Sequence, residues 1–147
     1  MSLFQELLAS NAAYAGSFDR SRLAMPPARH LAVVACMDAR LTVEEVLGLR
    51  TGDAHIIRNA GGIVTDDVIR SLIISHKLLG TREFLVINHT DCGMLTFTDE
   101  QLQQRVTQEH GVDASHLHFH AFDNVRANVE AQVQKIRQSP FIPKDIP

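Results

Sequence analysis

The sequence predicts an α/β fold: a central, mostly parallel β-sheet flanked by helices. Three observations point there. Short apolar runs alternate with stretches of helical periodicity, the pattern of strand–helix–strand units whose strands lie parallel. The first run, Leu31 to Cys36, is apolar along its length, as a strand covered on both faces must be. Finally, Cys36, Asn59 and His89 fall at the carboxyl ends of the runs, the edge at which open parallel sheets place their sites.

Residues 2 to 14 carry apolar positions at helical spacing, and Met25-Pro26-Pro27 ends any helix before the strand at Leu31–Cys36, because proline lacks the amide a helix needs. Thr42 to Leu49 is polar and helix-prone, Thr51-Gly52-Asp53 reads as a turn, and Ala54 to Ile57 reads as a second strand. Between Thr65 and Leu79 an apolar stripe of Val68, Ile69, Leu72, Ile73 and Leu79 predicts a helix, with Thr65 as N-cap and Gly80 as its stop. Phe84 to Asn88 is the third strand. A helix is expected from about Thr98 to His110, and after a polar turn another from Phe122 to Arg137, with Phe122, Val125, Val129, Val133 and Ile136 facing the sheet or a partner subunit.

With 147 residues, 45% of them hydrophobic, the chain suits one domain, residues 1–147, with a helical arm over about residues 1–25. Its 14 basic and 17 acidic residues give a net charge of -3, with no basic run and few aromatics to stack bases. Nucleic acid and anionic membrane are therefore excluded as partners. The first residues lack a basic start followed by a long apolar run, so a cytoplasmic location is expected. In that reducing setting the two cysteines serve metal binding, catalysis or packing rather than a structural disulfide.

Cys36 closes the first strand, while His89 and Cys92 follow the third in His89-Thr90-Asp91-Cys92-Gly93. Taken singly, each could be a packed side chain. Jointly, two strand ends converge on a soft donor set that suits zinc, and three protein ligands leave a fourth position open, as in catalytic sites. Asp38 could close that position as a fourth ligand, or stay off the metal and be held by Arg40, two residues on. Zinc chemistry is large in magnitude: lowering the pKa of water from about 16 toward about 7 corresponds to roughly 12 kcal/mol.

The segments Cys36-Met37-Asp38-Ala39-Arg40, Arg58-Asn59-Ala60-Gly61-Gly62 and His89-Thr90-Asp91-Cys92-Gly93, in this order, closely resemble the beta-class carbonic anhydrases. The resemblance runs from about residue 30 to about residue 100, and the N-terminal helix and the helix opening at Asp66 look like those of the short bacterial members. It implies one zinc per chain on Cys36, His89 and Cys92. It also implies an Asp38–Arg40 dyad that opens the fourth position, and a substrate pocket lined by Asn59, Ala60, Gly61 and Gly62. The implied reaction is hydration of carbon dioxide to bicarbonate by a zinc-held hydroxide, in a homodimer, with a tetramer as the alternative assembly. Val33 through Gly62 equally resembles carbonyl sulfide hydrolases of the same scaffold, which makes carbonyl sulfide the alternative substrate. A structural or regulatory zinc module closed by Asp38 is the non-enzymatic alternative. Related short members continue past a segment like Pro140 to Pro147 into a further edge strand, which this sequence lacks.

Other signals are weaker. His116, His118 and His120 alternate, so a strand there would present three imidazoles on one face, whereas a loop would leave them solvated. His55 and His76 read as packed or surface side chains, and Asp66-Asp67 as acids offsetting a helix dipole. Arg58 to Gly62 lacks the spacing of a nucleotide-binding loop, and Asp91 is expected to face solvent or cap the turn after it.

Overall fold

A computed structural model of the chain describes residues 2–147. Among them are three strands, β1 (Leu31–Cys36), β2 (Ala54–Asn59) and β3 (Glu83–Ile87), and five α-helices: α1 (Leu3–Gly16), α2 (Val43–Leu47), α3 (Asp66–Leu79), α4 (Asp99–His110) and α5 (Val125–Gln138). The strands form one sheet in the order β2-β1-β3 with both pairings parallel. Cys36 stands opposite Asn59 and Ala35 opposite Ile87. The chemistry-bearing residues therefore leave the sheet at one edge, as parallel register requires.

β1 is central, and Ala32 through Cys36 are all buried. Period-two alternation sends Ala32 and Val34 to one face, against Val64, Val68 and Leu72 of the α3 region, Ile136 of α5 and Ile142. Val33 and Ala35 go to the other face, against Val43, Leu41 and Leu47 around α2. Covered on both faces, the strand has no polar position. Fully buried side chains such as Leu72 and Val34 each contribute about 1.5–3 kcal/mol from leaving water.

Helix ends follow their caps. The Thr65 side chain accepts from the Val68 amide, and Gly80 (φ 74°) ends α3 in the left-handed conformation. Thr98 and Gln101 cap α4 reciprocally. α5 begins at Val125, not at Phe122, because the Asn124 side chain accepts from the Ala127 amide and sets the start there. Its buried residues are Asn128, Gln132 and Ile136, so two amides are buried beside the expected apolar stripe, of which Ile136 is the buried member. They can do so because each is hydrogen-bonded. β2 runs on to Asn59, two residues past the expected end, since pairing with β1 continues to Cys36.

α1 buries no residue, and Leu3, Phe4, Leu7 and Leu8 are exposed. At the other terminus, the Phe84 amide of β3 donates to the Pro147 carbonyl. No helix is long and apolar enough to cross a membrane.

Candidate metal centre

Two chain segments deliver the centre. Cys36 is the last residue of β1. His89 follows β3, and Cys92 precedes a single 3₁₀ turn at Gly93–Leu95. Both thiols are buried, at 4% and 3% exposure. One donor atom from each of Cys36, His89 and Cys92 lies within 4.8 Å of the others, and no other group of three or more His, Cys, Asp or Glu side chains among the described residues is so arranged.

The details fit a metal ion rather than packing. The sulfurs are 3.9 Å apart and both cysteines are free; two thiolates about 2.3 Å from a tetrahedral ion would stand about 3.8 Å apart. His89 Nδ1 is 2.8 Å from the Thr90 carbonyl. That oxygen can only accept, so a proton sits on Nδ1, and it is the neutral ring's Nε2 lone pair that would be offered to a metal. Nε2 is buried without a hydrogen-bond partner. An unpartnered ring nitrogen beside two thiols is a donor set that suits a soft cation.

Arg40 organises the rim. Its Nε donates to Asp38 Oδ1 at 2.9 Å and its Nη2 to Asp38 Oδ2 at 2.8 Å, a two-point grip reinforced by the Arg40 amide. The same guanidinium donates to the Asp91 side chain at 2.8 Å and to the Asp91 carbonyl at 2.9 Å. Asp91, at φ 55°, faces solvent as expected, and in addition it ties the Cys92 segment to the Cys36 segment through Arg40. Arg58 adds a second tie, from Nε to the Cys36 carbonyl at 2.9 Å and from Nη2 to the Asp38 carbonyl at 2.7 Å. Asp38 Oδ2 lies 3.7 Å from His89 Nε2, beyond hydrogen-bonding distance.

The electrostatics follow from these contacts. Hydrogen bonds from Arg40 hold the Asp38 carboxyl far below the ordinary carboxylate range, and Asp38 in turn raises the Arg40 guanidinium. With its folded value depressed, Asp38 adds stability above the unfolded carboxyl value of about 3.9, and loses it as pH falls through the folded value. Burial pushes the Cys36 thiol up, but the Asp38 backbone, the His89 ring, the Gly61 backbone and the Cys92 thiol around it together favour the thiolate, and the net direction is down. For Cys92, burial prevails and the thiol is raised. Cys36 is thus the thiol that ionises more readily.

The expected pocket residues sit beside the centre with distinct duties. Asn59 closes its own turn: its Nδ2 donates to the Ile63 carbonyl and its Oδ1 accepts from the Ile63 amide, both at 2.8 Å. Ala60 packs against the Cys36, Cys92 and Met94 cluster together with Leu95, Phe97 and Phe122. Gly61 and Gly62 are buried with φ of 83° and 61°. A Cβ on Gly62 would come within 3.1 Å of the Cys36 nitrogen.

The remaining signals lie elsewhere. Residues 116–121 form no strand, and His116, His118 and His120 are exposed. That loop is held by Asp99, whose carboxylate accepts from the amides of Phe119, His120 and Ala121. His55 and His76 are packed, bonding through Nδ1 to the Ser75 hydroxyl and the Thr81 carbonyl. Asp66 and Asp67 are exposed in the first turn of α3, where Asp67 pairs with Arg70.

Fold and site together define a class: an α/β protein with a parallel sheet whose carboxyl edge carries a two-cysteine, one-histidine centre able to bind a metal. Residues 31–147 match the family model described as carbonic anhydrase, and the chain belongs to that family. It is 46% identical over 144 residues to beta-carbonic anhydrase 1 of Mycobacterium tuberculosis, covering 98% of this chain and 87% of the relative. It is 35% identical to a carbon disulfide hydrolase of Acidithiobacillus thiooxidans, covering 86% of this chain and 73% of that protein. Among solved structures, the carbonic anhydrase of Streptococcus mutans superposes with a TM-score of 0.93 at 44% identity, covering 99% of this chain and 88% of the other.

Proposed function

We propose that this chain catalyses the reversible hydration of carbon dioxide to bicarbonate and a proton, with one zinc ion per chain on Cys36, His89 and Cys92. The observation that carries the reading is the unpartnered His89 Nε2 grouped with two buried thiols, next to a carboxylate fixed by Arg40. Zinc, when bound, supplies the Lewis acidity that lets water give up a proton near neutral pH.

The protein's own groups supply orientation. Both oxygens of Asp38 accept from Arg40, which favours a dyad over a fourth ligand and so an open position. Held ionised, Asp38 can only accept hydrogen bonds. A nucleophile beside it must turn its O–H toward Oδ2 and its lone pair toward the substrate. Ala60, Leu95, Phe97 and Phe122, packed around the centre, exclude water and suit a small uncharged substrate. The buried glycines allow the backbone to come close to it.

Carbonyl sulfide hydrolysis is the second reading, supported by the similarity to carbon disulfide hydrolases, since carbon disulfide, carbonyl sulfide and carbon dioxide are all linear and uncharged. Zinc-loaded protein assayed side by side for carbon dioxide hydration and for sulfide release from carbonyl sulfide is expected to favour the first. Inactivity on both from neutral to alkaline pH would leave the structural zinc module instead. Asp91→Asn offers a narrower check. Because both partners are exposed, at 64% and 87% of their side-chain surface, stability should change by less than about 1 kcal/mol. The turnover rate should nevertheless fall severalfold, as Arg40 loses one anchor; an unchanged kcat would reduce the pair to surface decoration.

Residues 1–147 act as one domain in this reading, with the arm over about residues 1–25 gripping a second copy. The leucines and Phe4 of α1 are exposed, and a homodimer would cover them. Free buried thiols suit the reducing cytoplasm.

A further inference from the structure

α5 lies outside every motif that marks the centre, yet it buries two amide side chains, Asn128 and Gln132, at 8% and 3% exposure. Their partners form a closed loop. The Val64 amide donates to Gln132 Oε1 at 2.8 Å. Gln132 Nε2 donates to Asn128 Oδ1 at 2.8 Å, and Asn128 Nδ2 to Asn88 Oδ1. Asn88 Nδ2 then donates to the Gly61 carbonyl at 3.0 Å. The run begins and ends in the same turn, Gly61 to Val64. Its direction is fixed at both ends, because the Val64 amide can only donate and the Gly61 carbonyl can only accept. All three side chains are thereby locked in one orientation, and head-to-tail amides in a dry setting strengthen one another.

Two of its members touch the centre. The Gly61–Gly62 turn is seated against Cys36, where a Cβ on Gly62 would come within 3.1 Å of the Cys36 nitrogen, and Asn88 immediately precedes His89. An aliphatic pair at positions 128 and 132 would fill the same space and serve packing alone. The chain instead keeps two amides there, where any unpaired one carries a desolvation penalty.

We propose that Asn128 and Gln132 of α5 are positioning residues for the metal centre, setting the Gly61–Gly62 turn against Cys36 and the Asn88 backbone that presents His89. This rests on the metal reading of Cys36, His89 and Cys92. Outer partners of this kind govern how well ligands are aimed, and losing one typically weakens metal binding about 10–100-fold.

The test uses the full chain, stripped of metal and titrated with cobalt(II) alone, reading its dissociation constant and visible absorption band. Asn128→Leu leaves Asn88 Oδ1 and Gln132 Nε2 without partners. It should bind cobalt about 10–100-fold more weakly, with a shifted band. Asn128→Leu combined with Gln132→Leu should be no worse than Asn128→Leu alone, since members of one network do not add. Ile136→Ala, one turn further on and buried in the apolar cluster, should lower the melting temperature without altering the band. A folded Asn128→Leu protein with unchanged affinity and band would overturn the proposal, as would an equal band shift in Ile136→Ala. Should Asn128→Leu fail to fold, Gln132→Met carries the same expectation and the same overturning result. Failure of the unaltered chain to bind cobalt would instead overturn the metal reading beneath it.

Discussion

Cys92→Ser is expected to abolish stoichiometric zinc binding and, with it, hydration activity. The change exchanges a soft thiolate for a hydroxyl that stays protonated at neutral pH and is a poor zinc donor. One of three protein ligands is lost, so affinity should fall by more than the about 10–100-fold typical of an outer partner. Cys92 is 3% exposed, and the new hydroxyl also costs about 1–3 kcal/mol if left without a partner. Metal content after dialysis, read beside the melting temperature of the metal-free proteins, separates the two effects. Unchanged zinc content would remove Cys92 from the ligand set.

Gly62→Ala should have the largest effect on stability among the glycine substitutions. At φ 61° the added Cβ would lie 2.9 Å from Asn88 Nδ2, 3.1 Å from the Ala35 carbonyl carbon and 3.1 Å from the Cys36 nitrogen. The last two are backbone atoms of the central strand and cannot step aside. Left-handed strain of about 1–3 kcal/mol adds to an overpacking cost of about 1–3 kcal/mol, so a loss of about 2–6 kcal/mol is expected in chemical denaturation. Gly16→Ala is the matched control: a Cβ there meets nothing within 4 Å, and a change within about 0.5 kcal/mol is expected. Equal stability of the two variants would mean that the turn yields, and that its tight seat against β1 does not matter.

How much could be read in advance depended on how local each feature is. β1 and α3 were legible because a continuous apolar run and a stripe at helical spacing each report burial of a single element. Cys36, His89 and Cys92 were legible because Cys36 ends one strand, His89 and Cys92 follow the end of another, and parallel strands bring such ends together. The start of α5 was misplaced by three residues, since Phe122 matches the apolar spacing while the Asn124 side chain decides where the helix begins. The aliphatic stripe along α5 likewise hid Asn128 and Gln132, whose polarity suggested solvent.

The role of Asp91 shows the same limit. Nothing in its neighbours indicates that it grips Arg40, because the two are 51 positions apart. The same holds for Asn128 with Asn88, 40 positions apart, and for Gln132 with Val64, 68 apart. Periodicity and capping are written within one or two turns of chain, and from these the sequence alone determined the parallel α/β plan; the two-cysteine, one-histidine group was legible from residue types after the strand ends and from the family resemblance. Tertiary structure alone decided which polar groups support that set: the Arg40 bridge between the two ligand segments, and the amide loop from α5 to Gly61. A hydrogen bond forms where folded backbones bring a donor to an acceptor, and residue types by themselves do not specify that meeting.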